Sequence, residues 1–295
     1  MLASFLQFLF SGLTIGATYA LAALGFAIIY NASGVINFAQ GEFIMLGGMA
    51  AVALAGLGLP LPLAIALAVV VAGAVAALVE KFAIEPASTS QGRADVVPLI
   101  IITIGASLVV RGLVQVVLGK GTHALAAFSG ETPFLIGGAT LLPQSLWVLG
   151  VAAVVVAGLG WFFGRTAMGK AMLATSHNRL AAELVGINTK QVLLLSFVLS
   201  GALGAVGGVL VAPITYTSYD VGIMLGLKGF VAATLGGLGS GLGAVVGGLL
   251  LGVLEAMTAG YISSAYKDAM PFVLILLVLF FMPSGLFGAK TIDRV

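Results

Sequence analysis

Long apolar runs, broken at short intervals by polar or glycine-rich segments, dominate the pattern of this chain. Eight stretches meet or approach the roughly 20 residues a helix needs to cross a bilayer core. They are Phe5–Tyr30, Phe43–Leu59, Leu61–Val79, Val96–Leu118, Leu142–Phe163, Val192–Ile214, Gly229–Gly260 and Ala269–Phe287. Arg111 alone interrupts the fourth and Glu255 the seventh. Strand periodicity is absent, and backbone groups in lipid must be bonded within their own segment, so the pattern predicts helices. The seventh stretch is too long for one crossing. Its run Gly236-Gly237-Leu238-Gly239-Ser240-Gly241-Leu242-Gly243 predicts a break, and with it a helical hairpin that half-penetrates the bilayer and returns. The expected fold class is an all-α polytopic membrane protein of about eight transmembrane or half-membrane segments, in a single domain over 1–295.

Composition agrees: 61% of residues are hydrophobic and 7% charged, with a mean hydropathy of +1.22. Soluble domains carry roughly 25% charged residues, so the solvent for this surface is lipid. The first run has no basic flank and is too long for a signal core, so it is expected to be retained. Basic residues in short loops set orientation. Lys81 and Arg93 fall between the third and fourth stretches, Arg165, Lys170, Arg179 and Lys190 between the fifth and sixth, and Lys290 and Arg294 at the C-terminus. These eight of the twelve basic residues are expected on the cytoplasmic side. Parity holds only if the glycine-rich hairpin returns, and the count then places the N-terminus outside and the C-terminus in the cytoplasm. A net charge of +2 gives no reason to expect a nucleic-acid partner.

Without cysteine, and with only His123 and His177, the chain offers neither thiolate chemistry nor a clustered metal site, and no cofactor is expected. Two nucleotide-like motifs fail. Gly164-Arg165-Thr166-Ala167-Met168-Gly169-Lys170-Ala171 has P-loop spacing, but Ala171 lacks the hydroxyl that holds Mg²⁺, and the motif follows a membrane helix. Gly239-Ser240-Gly241-Leu242-Gly243-Ala244 imitates a dinucleotide fingerprint without the acidic residue that should follow. Glycine pairs at four-residue spacing, Gly12/Gly16, Gly204/Gly208, Gly243/Gly247 and Gly248/Gly252, mark close helix packing, within the chain or against a partner's helices.

Two segments carry candidate chemistry. Between Arg165 and Lys190, Asn178 reads as an N-cap and Gly186, followed by Ile187, as a Schellman-type stop, enclosing a two-turn helix. Leu180, Leu184 and, less strictly, Ile187 form its apolar side, while Arg179 and Glu183 lie one turn apart on a polar side. So short a helix is marginal alone. Either the protein's own core and lipid headgroups or a groove on a partner must hold its apolar side. His177 reads as a solvated or capping residue. Within the membrane, Thr103, Ser107, Arg111 and Gln115 recur every four residues and form one polar stripe. Glu42 opens an apolar helix beside Asn37 and Gln40, either as a first-turn charge complementing the helix dipole or as a gate or packing contact. The stripe serves either interhelical hydrogen bonding or a pore wall. Ser11, Thr14 and Thr18 form a shorter stripe with the same two readings.

Gly169-Lys170-Ala171-Met172 followed by Asn178-Arg179, Ala182, Gly186 and Ile187 resembles the coupling loop of ABC importer permeases. Gly34-Val35-Ile36-Asn37-Phe38-Ala39-Gln40-Gly41-Glu42-Phe43-Ile44-Met45-Leu46-Gly47 is similar to a signature of the LivH-type high-affinity branched-chain amino-acid permeases. Ser200 to Gly208 and Leu235 to Ser240 match the same family pattern, so the resemblance spans Gly34 to Glu255. It implies one permease domain with a coupling loop over 165–190, in which Asn178, Arg179, Leu180, Ala182, Glu183, Leu184, Gly186 and Ile187 contact an ATPase. It also implies a heterodimer with a second, LivM-type permease, two ABC ATPase subunits, a periplasmic or extracellular solute-binding protein, and a place in the bacterial inner membrane. The implied activity is import of branched-chain or hydrophobic amino acids, or of related small carboxylates or amides. ATP hydrolysis would lie on the partner subunits, so the chain itself is not an enzyme.

The competing reading is an ion-coupled secondary transporter, which uses broken helices near the midplane. Glu42, Asp220 and the glycine break fit it. Against it stands the expectation that no acidic residue is centred in a span with a polar partner beside it. A membrane enzyme would need clustered nucleophile, base or metal ligands in the spans, and the sequence shows none.

Overall fold

In the computed structural model, which describes residues 1–88, 96–130 and 132–288, the polypeptide alternates between spanning-length helices and shorter apolar ones. Helix α1 runs Leu2–Ser33, α2 Gln40–Gly56 and α3 Leu61–Val79; α3 continues through a π-helical turn, Glu80–Ile84, into the short α4, Glu85–Ser88. After α5, Val96–Leu118, comes a small antiparallel ribbon of β1, Phe134–Ile136, and β2, Ala139–Leu141, paired with Phe134 opposite Leu141. Then follow α6 (Pro143–Arg165), α7 (Ala167–His177), α8 (Arg179–Leu184), α9 (Thr189–Thr215), α10 (Val221–Gly236), α11 (Gly241–Tyr261) and α12 (Met270–Phe281). Six helices among the described residues are long and apolar enough to cross a membrane, and α2, α10 and α12 are shorter apolar helices. The protein is a multi-pass, all-α membrane protein.

Glycines set the packing, because a missing Cβ lets two backbones touch. A Cβ on Gly12 would lie 2.6 Å from the Val253 Cα, and one on Gly16 2.9 Å from the Gly248 carbonyl oxygen, so α1 and α11 are in backbone contact. Gly204 and Gly208 lie over Phe43 and Ile44 of α2, and Gly243 and Gly247 over Gly236 and Ala232 of α10. All four glycine pairs are therefore used within the chain. α1 forms the centre of the bundle: from Ala17 to Ile29 every residue is buried.

The same contacts fix helix directions. Gly12 lies at Gly252 while Asn31 reaches Gly239, so α1 and α11 are antiparallel. Gln40 contacts Ser200 and Gly48 lies by Gly208, so α2 and α9 are parallel. Tracing such pairs through the bundle places the 165–189 segment, the 237–240 break and α4 at one end; the Lys190–Glu85 ion pair, 3.1 Å, ties α4 to the first turn of α9. Lys81, Arg165, Lys170, Arg179 and Lys190 all belong to this basic end. The opposite end holds the β ribbon, joined to α1 where the Thr140 amide donates to Gln7 Oε1 at 2.7 Å, and a two-way backbone bridge between His123 and Thr217. Arg93, Lys290 and Arg294, expected with the basic group, lie outside the described residues.

The chain breaks where the glycines predict, at Gly237 (φ 104°) and Gly239 (φ 89°), and Ser240 caps α11 by accepting from the Gly243 amide at 3.0 Å. Two features differ from expectation. The first limb of the hairpin starts at Val221, eight residues before Gly229, because the apolar run is already helical through Lys228. The second limb, α11, is long enough to cross unaided, so only α10 is short. The Leu286 and Phe287 amides donate to the Leu235 and Gly236 carbonyls, each at 2.9 Å, satisfying the open end of α10. Four helices, α9 to α12, then separate Lys190 from the C-terminal segment, an even number. Helix α7 was not anticipated; Thr166 caps it, accepting from the Gly169 amide at 3.0 Å, which uses the P-loop-like run as an ordinary helix start.

Candidate functional site

Between Ser33 and Gln40 the chain turns back into the bundle. Gly34 (φ 71°) closes α1, and α2 then starts beside Gly25, nine residues in from Gly34. At 1.5 Å per residue that is about 13 Å below the end of α1. Local side chains hold this re-entry. Asn37 Oδ1 accepts from the Ala39 amide at 3.0 Å, and Thr103 Oγ1 accepts from the Phe38 amide at 3.2 Å while donating to the Ile100 carbonyl. Gln40 is fully buried: its Nε2 donates to the Ser200 carbonyl at 3.2 Å and its Oε1 accepts from the Ser200 hydroxyl, which also reaches the Gly25 carbonyl at 3.0 Å.

Two residues on, Glu42 of α2 is buried against α5 and α10. Its Oε1 accepts from Ser107 Oγ at 2.8 Å and from Arg111 Nη2 at 2.8 Å and Nε at 3.2 Å. Glu42 sits in the first turn of α2, where its charge suits the helix dipole, but it makes no side-chain cap; its carboxylate is spent on α5. Among the described residues Oε2 has no hydrogen-bond partner, and it lies over Gly222 in the first turn of α10. Gly41, Gly222 and Gly226 let α10 approach this closely. Two helix N-termini and a guanidinium thus surround one buried carboxylate. The predicted Glu42, Ser107 and Arg111 form one network; Asn37, Gln40 and Thr103 brace the re-entry beside it. Gln115 is half-buried one turn beyond. In the α1 stripe, Thr14 and Thr18 are buried but Ser11 is exposed.

At the basic end, α8 has the expected caps. Asn178 Oδ1 accepts from the Ala181 amide at 3.0 Å. Gly186 (φ 87°) donates to the Glu183 carbonyl and Ile187 to the Ala182 carbonyl, each at 3.0 Å, which completes a Schellman motif. Arg179 Nε meets Glu183 Oε1 at 3.2 Å, and Thr189 donates to the same oxygen at 2.6 Å. These hydrogen bonds, Thr189 first and Arg179 second, hold the Glu183 carboxyl below the usual carboxylate range. The apolar residues divide differently from the sequence reading. Ile187 packs on the protein core and Ala182 is 3% exposed, so these two hold the helix to the bundle. Leu180 (67% exposed), Leu184 (80%) and Val185 (78%) are uncovered. His177 Nδ1 lies 2.8 Å from the Leu173 carbonyl of its own helix, in keeping with a capping residue.

A second buried network was not foreseen. Lys228, midway along α10, donates to Glu255 Oε1 of α11 at 2.7 Å and to Asp268 Oδ1 at 2.7 Å. Tyr19 of α1 donates to Glu255 Oε2 at 2.9 Å. The expectation that no acidic residue is centred in a span with a polar partner beside it meets an exception in Glu255 of α11, paired with Lys228, whereas Glu42, paired with Arg111, lies in the first turn of the shorter helix α2. The sequence signal is Glu255 interrupting an apolar run; Lys228 falls one residue before Gly229, the start of that run, and so carries no such signal. Among the described residues no group of three or more His, Asp or Glu side chains could hold a metal.

A multi-pass helical bundle with a re-entrant first connection, a glycine-broken hairpin and an uncovered two-turn helix at its basic end is a permease architecture. The family described as "Branched-chain amino acid transport system / permease component" matches residues 8–279, and the chain belongs to it. The chain is 35% identical to the high-affinity branched-chain amino acid transport system permease protein LivH of Salmonella typhimurium, covering 99% of this chain and 98% of that one. BraD of Pseudomonas aeruginosa, a permease protein of the same description, is 35% identical with the same coverage. The autoinducer 2 import system permease protein LsrC of Yersinia pseudotuberculosis is 28% identical over 55% of this chain and 47% of its own length. Among solved structures, PsaBC from Streptococcus pneumoniae in complex with Fab shares the fold, with a TM-score of 0.54 at 17% identity over 96% of this chain and 97% of that one. The chain is thus a transporter permease, not a catalytic subunit.

Proposed function

We propose that this chain is the permease subunit of an ABC importer that moves branched-chain or other hydrophobic amino acids, or related small carboxylates or amides, into the cytoplasm. Hydrolysis by two separate ABC ATPases drives it, with a LivM-type second permease and a solute-binding protein completing the complex. One permease domain spans 1–295, with its coupling loop over 165–190. The basic end faces the cytoplasm of a bacterial inner-membrane protein, as loop charge requires, and the N-terminus lies outside.

The observation that carries this reading is α8, a helix capped at both ends whose Leu180, Leu184 and Val185 are covered by nothing among the described residues. A two-turn helix with three uncovered aliphatic side chains is a docking element. Asn178, Arg179, Glu183 and Gly186 fix its shape, Ala182 and Ile187 anchor it, and the three aliphatic residues enter the ATPase cleft. The Glu42–Ser107–Arg111 network, with Asn37, Gln40 and Thr103, forms the protein-facing wall at which the re-entrant segment meets the translocation path.

The test is Leu184→Asp. It is expected to insert and fold, since the residue is exposed, yet to lose pull-down of the ATPase subunits or substrate-stimulated ATP hydrolysis in nanodiscs. Normal assembly with normal coupled transport would sink the reading. Ion-coupled secondary transport gains a footing from the buried carboxylates of Glu42 and Glu255. Each is already paired with a cation of this chain, at 2.8 Å and 2.7 Å, which leaves a coupling cation little charge to neutralise.

A further inference from the structure

The three charges around Lys228 are not equivalent. Lys228 and Glu255 are both buried and neutralise each other, and Glu255 is held a second time by Tyr19. Asp268, with its side chain 51% exposed, regains water when it leaves. It sits on the 262–269 connection between α11 and α12, at the end of the bundle opposite the basic loops. Among the described residues the backbone bonds of that connection are local: Ile262 and Ser263 to the Thr258 carbonyl, Tyr266 to Ser263, Lys267 to Ser264 and Ala269 to Tyr266. Ile262 and Tyr266 project outward, largely exposed. Among the described residues, the ion pair with Lys228, 2.7 Å, reaches from this connection into the bundle.

We infer that Asp268 is the detachable half of a charge latch: it straps the 262–269 connection over the α10–α11 hairpin and can release it while Lys228 stays paired with Glu255. Release frees the connection to move against a hairpin that remains locked to α1. The buried pair makes this possible, because a lysine left without any carboxylate would hold the strap shut or unfold the hairpin.

Hydrogen–deuterium exchange on the purified chain in nanodiscs tests it. Asp268→Asn is expected to speed exchange over 262–269 about tenfold, the loss of one hydrogen bond to a charged group, while Gly229–Gly236 keeps its protection. Glu255→Gln is expected instead to loosen Gly229–Gly236, since it leaves Lys228 with only the partly solvated carboxylate. In a Lys228→Met background Asp268→Asn is expected to add nothing. The latch is overturned if Asp268→Asn leaves exchange over 262–269 unchanged, if its effect spreads along the hairpin as that of Glu255→Gln does, or if it persists undiminished without Lys228.

Discussion

Glu42 and Glu255, both buried, are each met by a cation from another helix, Arg111 and Lys228. Glu42 is 1% exposed at a depth where an isolated carboxylate would be very unfavourable, and Arg111 with Ser107 compensates it from α5. Breaking such a pair from one side leaves an uncompensated charge, at about 3–5 kcal/mol, whereas removing both partners is far milder. Arg111→Met is therefore expected to lower the thermal midpoint of the purified chain sharply, and Glu42→Gln with Arg111→Met to recover most of that loss. A double variant no better than Arg111→Met would show that the pair is not coupled. On the same helix Ser107→Leu is expected to reduce transport or assembly, since it removes a donor to Glu42, whereas Leu108→Ile changes an exposed residue and is expected to leave uptake intact. Uptake assays on the two variants compare them directly.

At the scale of elements, α8 shows how a helix too short to stand alone is held. Its caps, its Arg179–Glu183 contact and the two apolar anchors Ala182 and Ile187 all lie within or just beyond its own two turns. Gly186 at φ 87° is the stop, and Gly186→Val would force a β-branched residue into the left-handed region. That variant is expected to lose ATPase pull-down while still inserting. Glu183 gives the element a pH dependence. Its carboxyl is held below the ordinary range in the folded state, so its contribution is present above the unfolded value and is lost as pH falls through the folded one. Acidification into and below the ordinary carboxylate range is expected to lower the protection of the Arg179–Leu184 amides, measured as exchange relative to the intrinsic rate at each pH, and Glu183→Gln to flatten that response.

For the molecule as a whole, backbone contact at glycines replaces the hydrophobic effect that would drive a soluble bundle together. Gly248→Val places a side chain into the Ala20 backbone, and is expected to abolish the folded, monodisperse chain in detergent. Gly158→Val meets open space and is expected to be silent in the same size-exclusion assay. Orientation is checked in intact cells, where the absence of native cysteine makes a single introduced thiol a clean reporter. A cysteine at Arg179 is expected to resist an impermeant maleimide, and one at Lys120 to react.

The sequence alone determined the class of the molecule, the break in its longest apolar run and the caps of α8. Each depends on neighbours in the chain: run length against bilayer thickness, glycine where φ must be positive, an Asn and a Gly spaced across two turns. It also grouped Thr103, Ser107 and Arg111, because a four-residue repeat is local geometry. Only the tertiary structure decided which glycine meets which, that Glu42 faces Arg111 rather than capping its own helix, that Ile187 turns inward while Val185 turns out, and that Lys228 gathers Glu255, Asp268 and Tyr19. Those are contacts between residues up to 236 positions apart. No periodicity records them, because in an interior of lipid and packed helices a charge can be stable only where another segment supplies its partner.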